Sequence, residues 1–386
     1  MLSFQNRRLF LSLIGLLVLL VILLLRWNLP RPLTGQLLLS MSFSDLNLGG
    51  LYTFDLNDRT YQRIILPDPT PATAIHYNPI LSPDQQHLAF QSFGNDQSMI
   101  HVARSLTDGT IVASTSGPRD FQPTWSPDGK WMVFGRSINY FSALFRLDPT
   151  TGEEDQLTEF TNDIEPNWSP DGEWIVFTTS RDGFQELYRM KPDGSQQERL
   201  TENINVNDLN ARYSPDGRFI AYMTNYSVGD GTGEIWIMNA DGSDQRRLTD
   251  NHLDDLGSVW SPDSQSLAYW VTAADRSGSD LWVMDISTGT ARQLTRIAGH
   301  EYAPIWSPDG AWLVFTHTPD GGANSLYAVR ADGTALQRLV GGDDIHSVQA
   351  SAGGLTPDQR FRPGAACQAI ATVECVRFAS DAAGQF

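Results

Sequence analysis

The chain has 386 residues, a formal net charge of −18 and 41% hydrophobic residues. That much apolar content supports a folded domain, so the acidity does not signal disorder. The same acidity, with no basic patch to offset it, argues against a nucleic-acid partner.

Leu9 to Leu25 form an uncharged run made mostly of Leu, Val and Ile, preceded by Arg7-Arg8 and followed by Arg26. As a helix this run would reach roughly 26 Å, close to the lower limit for a bilayer core of about 30 Å, with the flanking arginines snorkelling. A cleaved secretory signal is the nearest rival, but Trp27-Asn28-Leu29-Pro30-Arg31-Pro32 has no small-x-small cleavage pattern. The expectation is a short cytoplasmic segment over 1–8, a transmembrane anchor over 9–25 and a linker over 26–35. The charge balance of Arg7 and Arg8 against Arg26 and Arg31 barely orients the anchor. The very short leading segment favours a single-pass cell-membrane protein with the remainder on the extracytoplasmic side.

Beyond the linker, one phrase recurs: Leu81-Ser82-Pro83-Asp84, Trp125-Ser126-Pro127-Asp128-Gly129, Trp168-Ser169-Pro170-Asp171-Gly172, Tyr213-Ser214-Pro215-Asp216-Gly217, Trp260-Ser261-Pro262-Asp263 and Trp306-Ser307-Pro308-Asp309-Gly310. Its prolines are 44, 43, 45, 47 and 46 residues apart, the period of a four-stranded propeller blade. In the unit from Asp163, Glu165-Pro166-Asn167-Trp168 reads as a short inner strand and Ser169-Pro170-Asp171-Gly172 as a turn. There proline presets φ, Asp bonds to nearby backbone and Gly takes positive φ. Trp174-Ile175-Val176-Phe177 reads as the second strand, Glu186-Leu187-Tyr188-Arg189-Met190 as the third and Gln197-Glu198-Arg199-Leu200-Thr201 as a charged outer edge. A Trp placed identically in four of the six units, Trp125, Trp168, Trp260 and Trp306, reads as a packing plug between blades rather than a sugar platform.

The class predicted is all-β, a propeller over 36–351. Gln36 to Ser40, Leu51 to Asp55 and Tyr61 to Ile64 resemble strands two, three and four of a further blade lacking its inner strand. Asp343-Asp344-Ile345-His346-Ser347-Val348-Gln349 copies the start of a unit and then stops. Seven blades closed by exchange between the two chain ends is the favoured arrangement, and six blades with a separate cap is the alternative. A tail over 352–386 holds Cys367 and Cys375, eight apart, suited to a disulfide in an oxidising compartment or to two reduced thiols.

Five positions before each Trp or Tyr stand Asp120, Asp163, Asp208, Asp255 and Glu301, with Asp344 in the closing segment and His76 in the first full unit. In a propeller these entering segments converge on one mouth of the channel, so the carboxylates could ring it and bind a cation or a basic peptide. They could equally cap turns by accepting backbone N–H bonds. A lesser set, His76, His300, Glu301 and His346, contains metal-ligand residue types without tight spacing. No nucleophile elbow, zinc-protease helix or phosphate-binding glycine loop is present, and no cofactor is indicated.

Together, the Trp-Ser-Pro-Asp-Gly turn, the Trp-x-Val-Phe-like strand, the Leu/Ile-Tyr/Trp strand, Asp-Gly and Arg-Leu-Thr closely resemble the WD40-like propeller repeat of the TolB family over about residues 76 to 345. The resemblance implies the fold and says little about activity, since such repeats also occur in prolyl-oligopeptidase-like peptidases and in envelope proteins of varied roles. The Tol component has an additional N-terminal domain, whereas here the apolar run leads directly into the first blade. The peptidases need an α/β-hydrolase domain, for which there is no room. The reading is therefore a membrane-anchored extracytoplasmic module, monomeric as a propeller, that holds an envelope protein or peptide at the channel mouth or on blade-edge loops. Asn225 to Gly233 and Ala273 to Ser279 are the long inserts. A propeller-based polysaccharide lyase or hydrolase, with a metal-assisted site at the mouth, is the alternative.

Overall fold

The structure, a computed structural model, describes residues 32–43, 50–66, 75–94, 97–106, 108–203, 205–226, 232–341 and 345–350, the last of these by backbone alone. The chain divides into two units, Met1–Leu33 and Thr34–Phe386. The expected anchor over 9–25, most of the linker, Asp344, and the tail with Cys367 and Cys375 lie outside the described residues. Among the described residues no helix is long and apolar enough to cross a membrane.

The second unit is built of strands arranged in seven four-stranded antiparallel groups. The first sheet joins β1 (Gln36–Phe43), β2 (Gly50–Asp55) and β3 (Tyr61–Arg63) to β28 (Ile345–Ala350), which pairs with β1 from Leu39↔Ala350 to Phe43↔Ile345. The second sheet, β4 to β7, spans 75–114, and the third, β8 to β11, spans 120–156. The fourth, β12 to β15, spans 164–199, and the fifth, β16 to β19, spans 206–247. The sixth, β20 to β23, spans 254–293, and the seventh, β24 to β27, spans 300–340. A parallel bridge between Ser279 and His300 joins the last two into one eight-stranded sheet. Each sheet packs against the next, and β28 packs against β25 and β26, so the ring closes with a strand from the end of the chain in the sheet begun by its start. No inner edge is left unpaired where the ends meet.

Strands alternate in direction, so the ring has two distinct faces. The Ser-Pro-Asp turns and the third-to-fourth-strand turns lie on one, the turn face. The second-to-third-strand hairpins and the crossovers between sheets lie on the other, the crossover face. Because β1 begins and β28 ends on the turn face, the chain enters and leaves the propeller there.

The turn works as its residues dictate. Ser126 Oγ donates to Asp128 Oδ1 at 2.7 Å, and the N–H groups of Lys130 and Trp131 donate to Asp128 Oδ1 and Ser126 Oγ at 3.1 and 3.0 Å. Gly129, Gly172, Gly217 and Gly310 sit at φ 72, 73, 73 and 68°, which glycine takes at little cost. Behind each turn the repeated aromatic fills a seam between sheets. Trp168, 3% exposed, packs with Val133 and Leu144 of the third sheet and with Ile175 and Phe177 of the fourth. Trp306 does the same between the sixth and seventh, its Nε1–H donating to Val259 O at 3.2 Å.

The channel wall and the seams behind it

Among the first strands, β8 touches β12, β12 touches β16 and β20 touches β24, whereas the fourth strands are mostly exposed; the first strands therefore form the channel wall. Every described first strand after the opening sheet carries a bulge at the same place, with register shifts at Tyr77/Ile80, Phe121/Thr124, Ile164/Asn167, Leu209/Arg212, Leu256/Val259 and Tyr302/Ile305. The bulged residues Asn78, Gln122, Glu165, Asn210, Gly257 and Ala303 have φ of 49, 50, 58, 56, 60 and 51°. A bulge re-aims the side chains on either side of it. Here it separates buried positions from a row that stays partly exposed in all six sheets and a second that does so from the second to the fifth, and on an innermost strand that exposure opens to the channel.

The row nearer the crossover face is apolar: Tyr77, Phe121, Ile164, Leu209, Leu256 and Tyr302, all half-buried. The next row, at the bulges, is polar from the second to the fifth sheet and becomes Gly257 and Ala303 in the last two. Its side chains link sheet to sheet. Glu165 N–H donates to Gln122 Oε1 at 3.0 Å, and Asn210 N–H donates to Glu165 Oε2 at 2.7 Å. Arg212 stands two residues further along, with Nη1 donating to Ala211 O at 2.8 Å. Burial pushes its guanidinium below the usual value and the charge of Glu165 opposes that shift. The channel wall thus bears a charge of each sign beneath an apolar mouth.

Asp120, Asp163, Asp208, Asp255 and Glu301 are 0% exposed. The structure sets them in the seams behind the wall, where each bonds to its surroundings. Arg136 Nε and Nη2 donate to Asp120 at 2.7 and 3.0 Å, and Arg136 Nη1 lies 2.8 Å from Glu154. Asp163 accepts from Arg181 Nη2 at 2.9 Å and from Thr161 Oγ1 at 3.0 Å. The other three bond to no arginine. Asp208 accepts from Thr224 and Asn203, and Asp255 from Asn251 Nδ2 at 3.1 and 2.9 Å. Glu301 accepts from Thr295 at 3.1 Å and lies 2.7 Å from His317 Nδ1. Burial raises the carboxyl of Asp208 above its ordinary range, pushes Asp255 to about 6 and pushes Glu301 to about 8, against the hydrogen bonds that favour ionisation.

Facing these three across the seams stand acids that the repeat pattern did not single out as functional: Glu186, Glu234 and Asp280, each adding negative charge beside its neighbour. The threonine of the Arg-Leu-Thr phrase mediates. Thr201 donates to Glu186 at 2.6 Å and Thr249 to Glu234 at 2.7 Å, while each Oγ accepts the N–H of a third-strand residue at 2.9 Å. The signal for the wall itself was present in the prolines after the bulges, Pro79, Pro123, Pro166 and Pro304. Proline within a strand marks an edge or a bulge.

Of the metal-type set, His76 is on β4 in the second sheet, and His300 and Glu301 are neighbours on β24 in the seventh. His346 is on β28, its side chain outside the described residues. His76 lies edge-on to Phe90, ring centroids 5.4 Å apart, and burial lowers its pKa. Among the described residues no three His, Cys, Asp or Glu side chains come together to hold a metal ion.

Comparison with known proteins follows the fold. Solved structures of similar architecture include a provisionally named TolB from Agrobacterium tumefaciens, 22% identical over 77% of this chain and 99% of that one, with a TM-score of 0.51. An oligogalacturonate lyase from Vibrio parahaemolyticus is 15% identical over 79% and 86% of the two chains, TM-score 0.56. An oligogalacturonate lyase in complex with manganese is 17% identical over 80% and 86%, TM-score 0.56. At these identities the likeness is one of fold. No curated protein matches the chain. The family model described as the TolB beta propeller domain matches residues 57–259 and 230–352, so most of the ring is covered, and the chain belongs to the TolB beta-propeller domain family.

Proposed function

We propose that this protein is a membrane-anchored, extracytoplasmic binding module of the cell envelope, which holds an envelope protein or peptide at the crossover-face mouth of its propeller. The observation that carries the reading is the half-buried apolar row of Tyr77, Phe121, Ile164, Leu209, Leu256 and Tyr302, set above a polar wall in a strongly acidic chain. Apolar side chains left open together on a rigid scaffold favour a partner that can cover them. On the same face, the hairpin of the third sheet presents Tyr140, 91% exposed, and Phe141, 53% exposed. Tyr140 holds φ at 71°, a conformation costly for a bulky residue, and the fold gains no burial from it.

The described part of the chain enters and leaves the propeller at the turn face. Family membership supports the propeller scaffold, and the uncharged run Leu9 to Leu25 supports the anchor. The test is crosslinked capture from cells with the parent and with Leu209→Arg, after both show the same thermal unfolding. A specific envelope partner retained by the parent and lost from Leu209→Arg is the expected result. Equal capture by both would place the interface elsewhere.

A further inference from the structure

We propose that one proton shared between Asp280 and Glu301 fastens the seam between the sixth and seventh sheets, making that seam a clasp that loosens when the proton is lost in mild alkali. The backbone brings the two carboxyls together. Ser279 and His300 pair across the seam, Ser279 N–H donates to Gly299 O at 3.1 Å, and Ser279 Oγ donates to Glu301 O at 2.8 Å. The two carboxyls then meet at a single hydroxyl, that of Thr295.

A count of hydrogens shows the need for the proton. Thr295 Oγ1 lies 3.4 Å from Asp280 Oδ1 and 3.1 Å from Glu301 Oε2, and a single hydroxyl hydrogen cannot satisfy both acceptors. Gln293 Nε2 occupies Asp280 Oδ2 at 2.8 Å, and His317 Nδ1 occupies Glu301 Oε1 at 2.7 Å. Among the described residues no lysine or arginine is a hydrogen-bond partner of either carboxyl. Two carboxyls gathered at one hydroxyl, with neither of these cations between them, favour holding one proton in common.

The titratable groups around Glu301 are Asp280 on β22, His300 on its own strand, His317 on β25 and, beyond His317, Arg338 on β27. Burial, with Arg338 and His300 nearby, lowers the His317 pKa. In the proposed arrangement a neutral His317 donates Nδ1–H to Glu301 Oε1, and Glu301 donates its own proton toward Asp280. Burial pushes Glu301 to about 8, in keeping with that arrangement. An acid whose folded-state pKa is raised contributes stability that is complete below its unfolded value and is lost as pH rises through the folded value. The loss therefore builds up from about pH 4.5, the ordinary glutamate value, to about pH 8 and levels off above it.

The experiment is calorimetric unfolding of the full chain from about pH 5 to about pH 9, alongside Glu301→Gln and Asp280→Asn. The parent Tm should fall from about pH 5 to about pH 8 and level off above that, and either variant, leaving at most one ionisable carboxyl in the pair, should remove most of that fall. An identical decline in parent and variants would overturn the proposal. Should the variants fail to fold, infrared difference spectra of the parent decide the matter. A protonated-carboxyl carbonyl stretch present at neutral pH that disappears as pH rises through about 8 supports the shared proton, and its absence at neutral pH overturns it.

Discussion

The third and fourth sheets and the fifth to seventh sheets follow the same repeat, yet they solve the burial of the entering carboxylate in opposite ways. In the third and fourth, Arg136 and Arg181 reach Asp120 and Asp163. In the fifth to seventh, the second-strand residue aligned with Arg136 is Thr224, Val271 or His317, and the acid meets another acid through a threonine. Burial then raises Asp208, Asp255 and Glu301. Residues outside the repeated phrase, Arg136 on one second strand and Arg181 just beyond the next, thus decide whether the entering acid itself is ion-paired or held by hydrogen bonds, while Arg199 and Arg247 pair instead with the facing Glu186 and Glu234.

The strongest way to break this contrast is Arg136→Met. Arg136 is 7% exposed and serves both Asp120 and Glu154, so its loss strands two carboxylates. Destabilisation of about 3–5 kcal/mol is expected by denaturant titration, with part recovered on adding Asp120→Asn. A loss below about 1 kcal/mol would mean that the ion pair does not hold the seam.

Asp255→Asn probes the other half and should behave in the reverse sense. Asp255 is raised to about 6 by burial, so its contribution is complete in acid and disappears as pH rises through that value. The variant should match or exceed the parent above about pH 7, by up to about 2 kcal/mol, and lose that advantage progressively as pH falls from about 6 to about 4. A constant deficit at all pH values would contradict the raised carboxyl.

Smaller effects sharpen the picture. Arg181→Gln should cost only about 1 kcal/mol, because its side chain is 21% exposed and Asp163 keeps Thr161. Asp128→Ala in a Ser-Pro-Asp turn removes bonds to Ser126 and Lys130, for a loss on the order of 0.5–1 kcal/mol. Hydrogen bonds from Ser126 and Lys130 hold the Asp128 carboxyl below its ordinary value despite partial burial. Its contribution is therefore present at neutral pH and is lost as pH falls below about 4, the opposite slope to Asp255.

The ring was legible in the sequence because its determinants are local and repeated. Serine, proline and aspartate shape each turn from within five residues, with glycine following in four of the six, and the aromatic before five of them meets the same kind of seam. The closing strand was legible because Asp343 to Gln349 copies the start of a unit. The seams were not, because Asp120 meets Arg136 across a strand pair and Glu301 meets Asp280 from a different sheet. The bulge at Gln122 and Glu165 was hidden for another reason: no glycine announces it, and only the proline that follows hints at it.

The account rests most heavily on the claim that the crossover-face mouth, not the turn face, meets a partner. A photo-crosslinking residue placed at Leu209 on the channel wall, compared in cells with one at Asp241 on the turn face, tests it directly. The account predicts a discrete adduct with an envelope protein from position 209 and none from 241. Adducts confined to 241 would contradict it.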